Sequence, residues 1–159
     1  MICKDIKIFS QNIQKNSLLI NTILKVKINF NIIFIQEPSW SSICSIPNSS
    51  NCEEETLVGM VNHPNWLIFI RSNTNKSKYL RVAVYINIRL SFLYFSIHKD
   101  IIDHRDILLA SFFNNSDIFW LMNVYSDTSH SALKYLKDTE VNIQNLLIMT
   151  GDFNIRNSL

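Results

Sequence analysis

Ile32, Ile33, Phe34 and Ile35 form an unbroken apolar run that stops abruptly at Gln36, Glu37 and Pro38. Four residues are too few for a buried helix, and in a strand successive side chains point to opposite faces. The run therefore predicts a short strand covered on both sides, which belongs inside a layered α/β domain. The residues in front of it agree. Ile6 to Ile13 read as a first strand, and "LLINTILKVKINF" spaces Leu19, Ile20, Ile23, Leu24 and Lys27 as a helix with one apolar face. Strand, helix and strand make a βαβ-like opening with Glu37 at its carboxyl end.

The following stretch, Pro38 to Pro64, is rich in Ser, Asn and Pro and carries the acidic run Glu53-Glu54-Glu55, so it predicts a long surface excursion. Strand-like runs then return: "WLIFIR", "RVAVYINI", "FLYFSI", "ILLASFF" and "IFWLMNVY" predict a β-meander with a tight hairpin at "NNSD". "SHSALKYLKDTEVNIQ" predicts a helix with Ala132, Leu133, Leu136 and Val141 along one stripe and Ser129 as candidate cap. "NLLIMT" is a last buried strand leading into Gly151 and Asp152. Without internal repeats or a low-complexity linker, residues 1–159 are expected to form one β-rich α/β unit.

Composition narrows the partners. With 47% apolar and 18% charged residues the chain is not of the disordered class, and a net charge of +2 supplies no broad basic surface for indiscriminate nucleic-acid binding. Cys3, Cys44 and Cys52 lack the paired spacings of a zinc site or a disulfide framework, so reduced thiols are expected. The first twenty residues do not read as a signal peptide, and no apolar run is long enough to span a bilayer. The expectation is a cytoplasmic or nuclear protein, not secreted, with the sequons at Asn48, Asn75 and Asn114 unmodified.

Asn12, Glu37, Tyr125, Asp152 and Asn154 all fall at or just beyond the ends of predicted strands, where a sheet can aim side chains at one cleft. Each alone is an ordinary turn residue. Their order along the chain carries more: "SQNIQ", "IIFIQEPSW", "NVYSD" and "IMTGDFN" resemble the successive motifs of the endonuclease/exonuclease/phosphatase superfamily. They are most similar to those of the endonuclease domain of non-LTR retrotransposons, which is related to the abasic-site endonucleases. "QEP" followed by an aromatic residue is the retroelement-like form.

The resemblance implies a DNase I-like fold, a two-sheet β-sandwich flanked by helices. It also implies a phosphodiesterase that uses Mg²⁺ or Mn²⁺ and takes DNA as substrate. On it, Glu37 is the metal ligand, Asp152 a general acid or base, Asn154 a donor to a phosphoryl oxygen, Tyr125 a phenol near the scissile phosphate, and Asn12 a group that positions Asp152 or the metal. Gly151 is read as a turn that only glycine permits, or as a plain strand-ending turn. Such residue types suit the reaction, because phosphodiester cleavage gathers a water nucleophile, an anionic phosphate and an alkoxide leaving group, whose charge a hard cation on carboxylates can neutralise.

Departures from the pattern are equally specific. Relatives often carry an acidic residue or Asn where Gln14 stands, and Pro and Asn where Ser126, Asp127 and Thr128 follow Tyr125; Asp127 either compensates or caps the next helix. The later Asp-x-Asn and Ser-Asp-His motifs do not occur, and His63, His98, His104 and His130 all precede "GDFN". The sequence thus reads as the amino-terminal part of the domain, expected to be catalytically incomplete by itself and to leave an apolar sheet face uncovered. A non-catalytic retroelement remnant and a phosphodiesterase acting on RNA, a nucleotide or a phosphoinositide stay open as alternatives. His104-Arg105-Asp106 is set aside as a trio because adjacent side chains diverge. Arg71, Lys76, Lys78, Arg81 and Arg89, with Tyr79 and Tyr85 among them, are read as surface charge before backbone contacts to nucleic acid. Trp40 and Trp66 are read as packing residues.

Overall fold

A computed structural model describes residues 6–39, 44–46, 57–59, 63–69, 80–90, 94–114, 117–139, 143 and 146–154. Strand β1 (Ile8–Asn12) runs parallel to β2 (Ile32–Gln36), with helix α1 (Ser17–Val26) between them. The helix begins where it does because Asn16, in extended conformation, accepts the N–H groups of Leu18 and Leu19 on its side chain, each at 3.1 Å. Its apolar face, Ile20, Ile23 and Leu24, packs on Ile33, Ile35, Ala83 and Tyr85. Trp66 joins this layer and donates its indole N–H to the Leu24 carbonyl at 3.0 Å, so it is a packing residue. Trp40 lies outside the described residues.

Every residue of β2 is buried, the odd-numbered pair Ile33 and Ile35 beneath α1 and the even-numbered pair Ile32 and Phe34 against a second sheet. Strands β5 (Trp66–Phe69) and β6 (Val82–Asn87) complete the first sheet in the order β1-β2-β6-β5. The second is built from β7 (Tyr94–Ile97), β8 (Ile107–Asn114), β9 (Asp117–Tyr125) and β10 (Leu146–Asp152) in the order β10-β9-β8-β7. Helix α2 (Ser131–Asp138) connects β9 to its parallel neighbour β10 and covers the outer face with Ala132 against Ile107, Leu109, Met122 and Val124. No helix among the described residues is long and apolar enough to cross a membrane.

Four sequence expectations change. The five strand-like runs do not form one meander: β5 and β6 join the first sheet and β7 to β9 the second, parted after a short 3-10 turn at Ile88–Leu90. A period of two marks a strand but not the sheet it joins. The excursion between Pro38 and Pro64 holds a small antiparallel pair, β3 (Cys44–Ile46) with β4 (Leu57–Gly59). The second helix is shorter than its stripe, with Val141 outside the described residues, and His130 rather than Ser129 occupies its cap position. Ser129 instead gives its N–H and hydroxyl to Asp127, at 3.1 and 2.6 Å. The hairpin at "NNSD" does close tightly, with Asn114 paired to Asp117.

The fourth change concerns the uncovered face. Four strands from this chain alone stand on each side of one apolar layer, in which Ile32, Phe34 and Val84 meet Leu108, Phe112 and Leu121. Each such side chain contributes about 1.5–3 kcal/mol on burial, so this layer dominates the stability of the fold. What lies open is on the edge strand: β10 ends the second sheet and, although read from the sequence as buried, exposes the apolar side chains of Leu146, Leu147 and Met149.

Toward the carboxyl ends of β1, β2, β9 and β10 the layer turns polar. Asn123, fully buried on β9, donates to the carbonyls of Ile35 and Ala83 in the first sheet at 3.1 and 3.0 Å and accepts from the Gln36 amide at 2.6 Å. Gln36 also donates to Ser10 at 3.0 Å. Asn123→Leu removes three hydrogen bonds from a dry position and is expected to lower stability by roughly 2–4 kcal/mol in urea denaturation. A midpoint equal to that of the unmodified chain would show that the sheets do not depend on this link.

Candidate active site

Register explains why the strand-end residues meet. Asn12 is the last residue of β1 and lies beside Gln36, the last of β2; Asp152 is the last of β10 and lies beside Tyr125, the last of β9. Both parallel pairs therefore end level, at the same end of the sandwich. Strand alternation then points Asn12, Tyr125 and Asp152 into the space between the sheets. Glu37 follows Gln36 and by simple alternation would face the other way. Its left-handed backbone, φ 48°, ends the strand and returns the carboxylate to the cleft.

There the side chains form one connected group. Asn12 donates from Nδ2 to Glu37 Oε2 at 3.0 Å and to Asp152 Oδ2 at 2.7 Å. Its Oδ1 accepts the Gln14 N–H at 2.8 Å, which fixes the amide with its nitrogen toward the carboxylates. Tyr125 donates its hydroxyl to Glu37 Oε1 at 2.9 Å. Asn154, exposed and also left-handed at φ 45°, gives its N–H to Asp152 Oδ1 at 3.0 Å and its amide to the Ser126 carbonyl at 2.7 Å. That amide ties the end of β10 to the loop after β9. Among the described residues, every non-glycine residue with a left-handed backbone, namely Gln14, Lys15, Glu37, His130 and Asn154, follows the carboxyl end of β1, β2, β9 or β10. Backbone of this kind concentrates at functional sites because the surrounding structure must hold it there.

Two carboxylates share a single amide donor, and among the described residues no Lys or Arg forms an ion pair with either. Nor, among those residues, do three or more His, Cys, Asp or Glu side chains gather into a cage. Oxygen donors, uncompensated negative charge and only two carboxylates fit a hard cation such as Mg²⁺, which keeps water and substrate oxygens in its shell.

Sequence reasoning missed Arg81 and Asp106. Arg81 donates through Nε to Asp106 Oδ1 at 2.6 Å and through Nη2 to the other oxygen of Asp106 and to Asp127 at 2.9 Å. Its guanidinium lies 4.6 Å over the Tyr125 ring. Burial opposes its charge, yet these two carboxylates outweigh that and hold it ionised beyond its usual range. Asp127 is held well below the ordinary carboxylate range, first by Ser129 and then by Arg81. Arg81 is thus committed internally rather than offered as surface charge. Tyr85 is fully buried, Arg89 is exposed, and Arg71, Lys76, Lys78 and Tyr79 lie outside the described residues. The neighbours of Asp106 do not diverge as expected: His104 Nδ1 and Arg105 Nε approach its carboxylate at 3.9 and 3.6 Å, although the fully buried Asp106 makes its short contacts to Arg81. The legible signal was a charged residue immediately before each of two apolar strands, "VAVYIN" and "ILLASFF".

Gly151 makes no turn. It sits within β10 opposite Val124, at φ 156°, and a Cβ there would stand 1.8 Å from the Val124 carbonyl oxygen. Two backbones approach too closely for any side chain. Gly151→Ala is expected to destabilise the chain by roughly 2 kcal/mol or more, as overpacking and backbone strain do, and to loosen Asp152. Calorimetry checks the first, and an unshifted unfolding temperature counts against so close an approach.

Burial, then the hydrogen bond to Glu37 and its charge, push the Tyr125 phenol up to about 12 from its ordinary 10.0. The folded state thus favours the neutral phenol: its contribution is complete below pH 10 and is lost as pH rises through about 12. Subtracting the phenolate titration of Tyr125→Phe from that of the unmodified chain should leave a step near pH 12. A step at the ordinary value would mean that the phenol is not bonded to Glu37.

The fold is similar to that of the "Endonuclease domain of TRAS1, a telomere-specific non-LTR retrotransposon", with a TM-score of 0.60 at 15% sequence identity. The likeness covers 95% of this chain and 60% of that one, so the chain spans about three fifths of the length of that domain. At such identity it shows the fold: mixed α/β with two sheets and few helices, of the DNase I-like endonuclease type, as the motifs implied. No family model matches the sequence, and none of the curated proteins does.

Proposed function

We propose that this chain carries the metal-ligand and acid/base portion of a divalent-metal-dependent phosphodiester hydrolase that cuts DNA, of the retrotransposon endonuclease kind. The observation that supports it most is the Asn12 amide donating to both Glu37 and Asp152, with no basic side chain paired to either among the described residues. Residues separated by 140 positions converge on charge for which no described basic side chain provides a counter-ion. The structural likeness to an endonuclease domain adds support at the level of fold.

Glu37 would hold Mg²⁺ or Mn²⁺, with Asp152 beside it. When bound, the ion supplies Lewis-acid neutralisation of phosphate charge. Glu37 is suited to the ligand role because Tyr125 and Asn12 each take one of its oxygens and fix its plane. Asp152 can take a proton from water or return one to the leaving oxygen, since its Oδ2 meets only the Asn12 amide and its Oδ1 only the Asn154 N–H among the bonds described. Tyr125 stays protonated throughout the neutral range and acts as a donor.

Calorimetric titration with Mn²⁺ and nicking of supercoiled plasmid in Mg²⁺ test the proposal together. Glu37→Gln is expected to abolish Mn²⁺ binding, and Asp152→Asn to slow nicking by about 10²–10⁴-fold. Unaltered binding and nicking in both variants would remove the basis for this reading. An RNA substrate offered in parallel separates the DNA reading from its RNA alternative.

A further inference from the structure

Glu37 is held from two directions, and both lead to Arg81. The Glu37 N–H donates to the Arg81 carbonyl at 2.8 Å, while Glu37 Oε1 accepts from Tyr125, whose ring lies under the Arg81 guanidinium. Arg81 immediately precedes β6 in the first sheet, the sheet whose strand β2 leads into Glu37. Asp106 and Asp127 flank strands of the second, and the Asp106 carbonyl also accepts the Tyr125 N–H at 2.8 Å. The guanidinium therefore bridges the two sheets at the rim of the site. With two carboxylates already on it, it keeps no spare charge for a phosphate, so a direct substrate contact is not its role.

We propose that Arg81 is the positioning residue of this site, acting through Tyr125 to fix the Glu37 carboxylate relative to Asp152. Its planar fork engages Asp106 through two nitrogens while its face stacks on the phenol, a combination that lysine cannot reproduce. The consequence for metal binding rests on the reading of Glu37 as a ligand; the consequence for Tyr125 does not.

The test uses the full chain with ¹³C-labelled tyrosine rings, Tyr125 being assigned by its loss in Tyr125→Phe. Glu37→Gln should displace the Tyr125 resonance when Arg81 is present and leave it in place in Arg81→Met, because the phenol is then no longer held to Glu37. In parallel, Arg81→Met should weaken Mn²⁺ affinity about tenfold, as loss of a ligand's support does, with no further loss when Tyr125 is already Phe. Arg81→Lys should not restore it. Equal displacement of Tyr125 by Glu37→Gln in both backgrounds overturns the proposal. If the unmodified chain binds no Mn²⁺ but the tyrosine signals behave as expected, the metal reading fails and the positioning role stands. If Glu37→Gln abolishes Mn²⁺ binding and Arg81→Met leaves it intact, the reverse holds. Should Arg81→Met fail to fold, Asp127→Asn loosens the guanidinium from a partly exposed position; undiminished coupling between Glu37 and Tyr125 there overturns the proposal equally.

Discussion

The structure depends on how one layer changes character along its length. Between the sheets, Ile32, Phe34, Leu108 and Phe112 supply the non-directional attraction that brings two sheets together. Attraction of that kind does not fix how far one sheet slides over the other. Gln36 and Asn123 do, because their hydrogen bonds have one satisfactory arrangement and no water to substitute for them. Beyond them lie Asn12, Glu37, Tyr125 and Asp152, so the residues that set the register of the sheets stand directly under the connected polar group at the strand ends.

The site is accordingly a product of two alignments. Within each sheet, parallel pairing makes β1 end level with β2, and β10 with β9. Between the sheets, Asn123 and the Arg81–Asp106 pair hold the two rims together. A buried ion pair is weak support for stability, because desolvation offsets much of its attraction. Its value here is geometric, since it joins Arg81, just before β6 of the first sheet, to Asp106, just before β8 of the second, whose carbonyl accepts the Tyr125 N–H.

Much of this was legible in the sequence, for identifiable reasons. The run Ile32 to Ile35 announced an interior strand because only double-sided burial tolerates four apolar neighbours, and Asn12, Glu37, Tyr125 and Asp152 were picked out because they close predicted strands in the order of the motifs that the sequence resembles. Illegible were relations that no local pattern encodes. The division of five strand-like runs between two sheets depends on which faces meet, and Ser129 lost its capping place to the competing attraction of Asp127. Arg81 read as surface charge because its two partners lie 25 and 46 residues away. Gln14 stood out as a departure from the related sequences; what it contributes here is a backbone N–H that orients Asn12.

Gly151 has a consequence for how such a site responds to change. It has no side chain to bind, ligate or transfer a proton, yet the nearness of the Val124 carbonyl leaves no room for any other residue there. In a saturation screen it would score as intolerant and be mistaken for a functional position. Intolerance at that position measures instead how closely two main chains are pressed together.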